Sequence, residues 1–586
     1  MTLKTLSILL IAAAILVAGT LWLQRRPSPL TEPAARSNAS TIQTHLRFVD
    51  GVARTGLRFT HHASRSPARH MPDIMGGGVI IADFNRDAAP DVLFVDSGNL
   101  TGPVPADAGN RLYLGDGHGA FRDATQAWGL TSARYGMGGA AGDFDNDGWT
   151  DVYLTSYFGD DRLLRNTGNG FVDVTQKAGI PTGRGWSTSA GFLDMDGDGD
   201  LDLYVVRYVD YALDRAIKCY SAGYHVYCTP ILYDAVPDSL LQNNGDGTYT
   251  DVSDRLASPA QSGKGLALAI GDLDNDGDQD VYVANDTAAN ALFLSDGRGG
   301  FTERGMYAGV AYSEVGAEEG SMGADFSDVN GDQMWDIICT NFQSESNALY
   351  VQGEPFFFRE SSDAVGLGAT ARKRLAFGVD FFDADNDGDE DLLVANGHIE
   401  DNIAQYNQGT AFAQPDTLYE CLDLDTARFL DVTDAAGALI GAPAVSRGLA
   451  TGDLDGDGDL DYVITVNDGP AIIGLNETER TGHFISFWLE GASNRSAIGA
   501  RIVLRIGDRI IVRQVMGASS YLSQSDRRLH FGLGDPDRID EITVFWPGGS
   551  VQHLENAALL QVDTFYHWPQ GRLPVRVIPG AATITP

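Results

Sequence analysis

The chain has 586 residues, with 41 Lys+Arg against 80 Asp+Glu and a formal net charge of −39. It is too long for one small domain of about 100–200 residues, and too acidic for a nucleic-acid partner. Hydrophobic residues at 43% and charged residues at only 21% exclude global disorder, while 69 glycines without a collagen period point to many tight turns and short strands.

Residues 1–24 form a segment of their own. Lys4 precedes an uncharged, mostly apolar run from Thr5 to Leu23, and Arg25 and Arg26 follow. The run exceeds a signal h-region of about 7–15 residues and approaches the ~18–20 that span a bilayer, with no A-x-A cleavage site after it. It reads as an apolar helix that anchors the chain uncleaved, in preference to a cleaved signal. Both readings place the body outside the cytoplasm. Residues 25–46 read as a linker.

Residues 47–478 are dominated by internal repetition. One acidic pattern recurs seven times, at Asp83–Asp91, Asp143–Asp151, Asp194–Asp202, Asp272–Asp280, Asp328–Asp336, Asp383–Asp391 and Asp453–Asp461. Successive starts differ by 60, 51, 78, 56, 55 and 70 residues, intervals that suit one four-stranded propeller blade each, with loop insertions. Gly-rich apolar stretches such as GMGGAAG and GLALAIG precede the motifs, and alternating stretches such as VYLTS and VYVAN follow them. Alternation after a turn signal predicts a β-hairpin with the acidic loop at its tip. A second hairpin with N-G or D-G turns often follows, making four strands per repeat. The seventh repeat lacks its last strand, and Phe48–Asp50 is positioned to supply it, closing a ring of seven blades and removing exposed edges.

Five loops have the full D-x-D-x-D-G-x-x-D form. Their carboxylates are Asp143, Asp145, Asp147 and Asp151; Asp194, Asp196, Asp198 and Asp202; Asp272, Asp274, Asp276 and Asp280; Asp383, Asp385, Asp387 and Asp391; and Asp453, Asp455, Asp457 and Asp461. Clustered hard oxygens suit Ca²⁺, which takes about 6–8 of them, whereas soft transition metals are disfavoured without Cys or His in the loops. An EF-hand would need Glu at position 12, where these loops have Leu154, Val205, Val283, Val394 and Ile464. Two loops are degenerate and are weaker candidates. Asp83, Asn85, Asp87 and Asp91 surround Ala88 in place of the glycine, and Asp328, Asn330, Asp332 and Asp336 surround Gln333. The expectation is about five to seven Ca²⁺ sites.

Cys219 and Cys228, close together in KCYSAGYHVYC, are expected to form a disulfide if the chain is exported; Cys339 and Cys421 are expected to be free and buried. His61, His62 and His70 are read as surface or loop histidines. Residues just before each inner strand should ring the propeller axis, among them Asp73, Tyr135 and Trp186. Lys264, Glu319, Arg374 and Arg447 are the ligand candidates at that channel mouth, for a glycan or an anion. Residues 479–567 show strand alternation with Gly turns and predict a small β-sandwich packed beside the ring. Its Ser519–Ser525 stretch is either a binding loop or one tied down by its own hydroxyls. Residues 568–586 read as a loosely held tail.

These repeats resemble the FG-GAP/VCBS blades of integrin-α-like seven-bladed propellers. The run SNRSAIGARIVLRIGDR, then VMGASSYLSQSDRRLHFGLG, with ITVFWPGG at Ile542–Gly549, resembles an UnbV/ASPIC domain. Together they are similar to the cartilage acidic protein family and its bacterial relatives, as are MGGG, VANDT, TNFQSESNALY and VANGHI. The resemblance implies an exported calcium-binding protein used for adhesion or recognition. No G-x-S-x-G, H-E-x-x-H, Walker or dinucleotide motif appears in the sequence. The functional expectation is a binding module for an unknown protein or glycan, with structural calcium and a membrane link through the N-terminal segment. The alternative is a glycan-directed enzyme or lectin at the channel mouth.

Overall fold

Each acidic motif joins two strands that pair with one another. The first motif connects Val79–Ala82 to Asp91–Phe94, in register from Ala82 against Asp91, and the other six repeat this arrangement. In all seven, the last Asp of the motif is the first residue of the outgoing strand. The computed structural model describes residues 42–581, apart from 64, 131–134, 257–262, 481, 556, 558 and 559. The predicted N-terminal helix and most of the linker therefore lie outside the described residues. Among the described residues no helix is long and apolar enough to cross a membrane.

The chain is all-β, and its repeats are built of four-stranded antiparallel sheets in the manner of a β-propeller, the fourth with an added strand Glu319–Gly320. Each sheet runs in chain order from its innermost strand outwards, as in Gly136–Gly142, Asp151–Ser156, Arg162–Asn166 and Phe171–Asp173. The last sheet takes its outer strand from the other end of the chain: Phe48 pairs with Asn476 and Asp50 with Gly474. The innermost strands pack side by side in sequence, from Val79–Ala82 round to Ser446–Gly452, which returns to Val79–Ala82. Apolar side chains fill the wedges between neighbouring sheets. Tyr462, Phe382 and Leu449, for example, share one cluster with Phe48.

The C-terminal region forms two more four-stranded sheets. One joins Leu529–Gly534, His483–Glu490, Thr564–Pro569 and Val575–Val577, and the other Arg509–Gln514, Arg501–Ile506, Glu541–Phe545 and Val551–Glu555. Its core is continuous with the ring, since Phe487, Ile502 and Trp568 cluster with Phe144, Tyr153 and Phe192. Part of the predicted tail belongs to this domain: Val575–Val577 adds a strand, and Gly580 N–H donates to the Asp87 carbonyl at 2.8 Å.

The domain does more than pack beside the ring. Residues 517–526 run down the ring's axis and hydrogen-bond to every one of the seven inner strands. Gly517 N–H donates to Ile270 O (2.9 Å), Ser520 N–H to Ala324 O (2.6 Å), Gln524 N–H to Val79 O (2.9 Å) and Asp526 N–H to Thr451 O (3.0 Å). Ala141 N–H donates to Gln524 Oε1, Val379 N–H to Ser520 Oγ, and Leu522 N–H to Ser189 Oγ. The Ser519–Ser525 stretch is thus a plug and not a surface binding loop, and its own hydroxyls help to tie it down: Ser520, Ser523 and Ser525 accept N–H groups of Val379, Val79 and Thr451, and Ser520 donates to the Leu449 carbonyl. It also explains the glycine-rich inner strands: a Cβ at Gly78 or Gly138 would overlap the Leu522 carbonyl, and one at Gly448 would press on Ser523 Oγ.

Backbone overlap of this kind cannot be relieved by a rotamer change. Gly138→Ala is expected to destabilise by at least about 2 kcal/mol. Gly353→Ala, whose Cβ would meet open space in a strand, should stay within about 0.5 kcal/mol. Urea unfolding midpoints of the two variants check this.

Candidate metal centres

The seven acidic loops share one hydrogen-bond skeleton. At position 9, one carboxylate oxygen accepts the N–H of position 2, as in Phe144 to Asp151 Oδ2 (3.0 Å) and Met195 to Asp202 Oδ2 (2.9 Å). The other oxygen accepts an N–H from the third strand of the same sheet. The donors are Gly115, Asn166, Asn243, Ser295, Gln352, Cys421 and Asn476, at 2.6–2.9 Å. At position 1, Oδ2 accepts the N–H of position 6, and position 5 accepts the N–H of position 7. The chain bends to make these bonds by placing positions 4 and 6 in the left-handed region. Position 6 has φ of 91° at Gly148 and 97° at Gly277; position 4 has φ of 55° at Asn146 and 73° at Gly456. Sequence reading found the glycine at position 6 but missed position 4, where Asn or Gly recurs in six of the seven loops because those residues tolerate positive φ.

This skeleton gathers the predicted carboxylates. Ligand atoms of Asp143, Asp145 and Asp151 lie within 4.8 Å of one another, as do those of Asp194, Asp196 and Asp202, of Asp272, Asp274 and Asp276, and of Asp383, Asp385 and Asp387. Oxygens bound to one Ca²⁺ at about 2.3–2.6 Å lie no more than about 5 Å apart, so the donor sets fit. At position 3 the outer oxygen is often held from outside. Arg165 takes Asp145 (2.5 Å), Gln242 takes Asp196 (2.6 Å), and Arg54 takes Asp455 (2.8 Å). The remaining oxygen of each, Oδ1 of Asp145, Asp196 and Asp455, is buried without a partner. A buried carboxylate oxygen left in this way is unfavourable unless something positive meets it.

Burial also raises the pKa values and so weakens these acids. Desolvation pushes Asp143 and Asp453 up to about 7 and Asp202 to about 8, with neighbouring carboxylates adding to the shift. It pushes Asp194 and Asp272 up to about 6, and holds Asp151, Asp280, Asp391 and Asp461 well above the ordinary carboxylate range.

The two degenerate loops keep the skeleton with different chemistry. Asn85 Nδ2 donates to Asp87 Oδ2 at 2.9 Å, and Asn330 Nδ2 to Asp332 Oδ2 at 3.0 Å. In each, an amide answers the position 5 carboxylate. Ala88 at φ 63° and Gln333 at φ 68° occupy the left-handed position without glycine.

The C-terminal domain lies against these loops. Arg495 approaches Asp143 (4.0 Å), Arg509 pairs with Asp389 (2.8 Å), Arg513 with Glu390 (3.0 Å), and Arg528 donates to the Ala88 carbonyl (3.0 Å). Sequence reading had not assigned these arginines. Their signal was a local run of Arg in a strongly acidic chain. It also missed His45, whose Nε2 lies 2.7 Å from Asp385, and Glu420, which with them forms a mixed donor group beside the sixth loop.

Of the predicted channel-mouth set, Lys264 and Glu319 both flank the end of the strand Asp280–Ala288, at Asp286 and Ala288, while the two arginines are engaged elsewhere. Arg447 is fully buried, donates to the carbonyls of Ile74, Ser446 and Gly397, and stacks 3.8 Å from the Phe377 ring centre. Arg374 is bonded to Asp416 O and Thr417, and Glu319 to Asn341. Lys264 offers its carbonyl to Asp286 N–H. Asp73, Tyr135 and Trp186 are buried and do not form a solvated rim. The histidines also part company: His61 is buried against Ser97 and lowered to about 4 by desolvation, His62 pairs with Asp96, and His70 with Tyr211. Cys219 and Cys228 are joined by a disulfide, and Cys339 and Cys421 are free and buried.

The family described as FG-GAP-like repeat matches residues 83–154, 143–205, 231–283, 272–339 and 328–394, and that described as ASPIC and UnbV matches residues 490–569. Cartilage acidic protein 1 of Mus musculus is 24% identical over 509 residues, covering 82% of this chain and 72% of that protein. The Homo sapiens protein is 23% identical over 440 residues, 71% of this chain and 60% of that protein. Among solved structures, an Agrocybe aegerita lectin specific for non-reducing terminal N-acetylglucosamine is similar at a TM-score of 0.34 and 14% identity, covering 67% of this chain and 87% of that one.

Position 6 gives a direct test of the skeleton. Gln333→Gly relieves an exposed left-handed residue and is expected to stabilise by about 1 kcal/mol. Gly277→Ala, whose Cβ meets nothing at φ 97°, should destabilise by a similar amount. Thermal midpoints in excess chelator isolate this backbone effect from any ion.

Proposed function

From a chain of FG-GAP-like repeats ending in an ASPIC and UnbV domain, homologous to cartilage acidic protein 1, we propose an exported, calcium-stabilised recognition module. In this reading the sheets form a seven-bladed propeller. The cation is structural: when bound, Ca²⁺ supplies positive charge that the converging carboxylates otherwise lack. The observation that carries this is the set of buried, partnerless oxygens on Asp145, Asp196 and Asp455. The residues that would hold the ion are positions 1, 3, 5 and 9 of the five full loops. The first and fifth loops, where Asn85 and Asn330 answer a carboxylate with an amide, depend on an ion less. Binding to the folded state alone stabilises by about 2.7 kcal/mol per independent site at 100 times Kd.

Export is supported by the apolar N-terminal run and by the Cys219–Cys228 disulfide, a bond that persists in oxidising compartments. The body is then held to a membrane by residues 1–24, or released if they are cleaved. The partner is a protein or glycan met outside the cytoplasm. The enzyme or lectin alternative rested on a charged rim, and it is less favoured because Arg447 is buried and Arg374 is bonded to Asp416 and Thr417.

Thermal unfolding of the full chain in Ca²⁺, in EGTA and in Mg²⁺ tests the calcium reading. Ca²⁺ should raise the midpoint well above both other conditions, and an unchanged midpoint would sink it. Its pH dependence follows from the raised pKa values. Without the ion, each raised carboxylate stabilises the fold fully below its unfolded value near 3.8 and loses that contribution as pH rises through its folded value. The values for Asp194, Asp143 and Asp202 place that loss between about pH 4 and 8. The midpoint in EGTA should therefore fall from pH 5 to pH 8. In Ca²⁺ the carboxylates stay ionised, so the gain from calcium grows with pH.

A further inference from the structure

The two longest departures from the repeat occupy the same topological place, between the second and third strands of their sheets. One spans residues 208–238 in the third sheet and carries the disulfide; the other spans residues 397–416 in the sixth. They meet over the end of the ring opposite the acidic loops. Tyr227 N–H donates to Glu400 Oε1 (2.6 Å), Asn402 Nδ2 to His225 O (3.0 Å), and Tyr224 stacks on Tyr406 with ring centres 5.7 Å apart. Arg69 binds Glu400 (3.0 Å) and lies 5.1 Å over the Tyr227 ring.

Beneath them is a cavity of about 440 Å³. Its floor is apolar and deformable, built of Met71, Met75, Leu266, Met322 and Phe377. Aromatic rings of Tyr208, Tyr227, Phe342 and Tyr406 wall it. Its charged lining is acidic: Asp286, Glu345 and Glu400, with no lysine or arginine among the lining residues. Glu400 is answered by Arg69. Asp286 takes the Tyr208 hydroxyl (2.5 Å) and lies within the field of Lys264, which is not itself a lining residue, and Glu345 takes the N–H groups of Gly320 and Phe342. Arg447 stands behind the Phe377 ring, and His398 accepts the Glu400 N–H (3.0 Å).

We infer that this cavity binds a small organic cation, an amine or quaternary ammonium carried on an apolar or aromatic body. Ring faces and carboxylates both attract such a head group, and the thioethers pack on its body. An anion would face Asp286 and Glu345 with no lining cation to receive it. The inference gives the recognition-module reading a ligand class, and rests on that reading only for its biological use.

The test uses calcium-loaded full chain and three probes with one apolar body: phenylbutylamine, phenylbutanol and phenylbutyrate, titrated by calorimetry. The amine should bind tightest and the carboxylate weakest, with a spread on the order of tenfold or more. Glu345→Gln and Asp286→Asn should each bring the amine towards the alcohol while leaving the alcohol unchanged. Met322→Trp, which fills the cavity, should weaken all three, and a retained calcium-dependent midpoint shows that each variant is folded. Equal binding of the three probes, or preference for the carboxylate, overturns the cationic ligand class. No binding by any of them overturns the site itself, while loss of the calcium-dependent midpoint in the unmodified chain would instead strike the calcium reading.

Discussion

The aspartate at position 9 of each acidic loop ties three pieces of backbone together. It begins the second strand, caps its own loop through one oxygen, and takes an N–H from the third strand through the other. All seven loops keep this arrangement, including the two that depart from the motif elsewhere. Once it is made, positions 1 and 3 turn inwards while position 5 stays nearer the surface, exposed at Asp198, Asp276 and Asp457, and the loop becomes a cup of carboxylates. Every cup lies at the same end of the ring, because each joins an innermost strand to its neighbour. The fold therefore concentrates negative charge that its own geometry desolvates, and several other features answer that charge.

One answer is chemical substitution within the loop, as the amides of Asn85 and Asn330 show. Another is the C-terminal domain, whose Arg509 and Arg513 meet acidic side chains of the sixth loop and whose Arg528 reaches the first loop's backbone. The same domain threads residues 517–526 through the ring, so its docking is electrostatic at the face and covalently continuous with a plug at the axis. Glycine on the inner strands is the steric condition for that plug, just as positive φ at positions 4 and 6 is the backbone condition for the cups.

The repeats, the hairpins with acidic tips and the closing strand Phe48–Asp50 were all readable, because each rests on local alternation, turn residues or a missing partner. The carboxylate clusters were readable for the same reason, since a nine-residue motif folds on itself. The plug was not. Ser520 meets Ala324 and Gln524 meets Val79, partners remote in sequence, and hydroxyl-rich segments look alike whether they bond to solvent, to themselves or to a distant strand. The rim charges failed for a related reason. Position before an inner strand does place a residue near the axis, but Arg447 is turned inwards by carbonyls that the insertion at Gly397 and the loop at Ile74 bring to it. Insertions carry no repeat signal, so the cavity they wall had no counterpart in the pattern.

The axial segment has a temporal consequence. Residues 517–526 follow all seven inner strands in chain order, and Phe48 waits for Asn476 across most of the chain. A polypeptide emerging from its N-terminus can form hairpins and individual sheets as they appear, but the circle closes and its hollow fills only when synthesis is nearly complete. Such distant pairings are slow to form, because loop closure must precede them. The half-made protein thus stays unlocked until its last segments are made, and acquires its final rigidity only then.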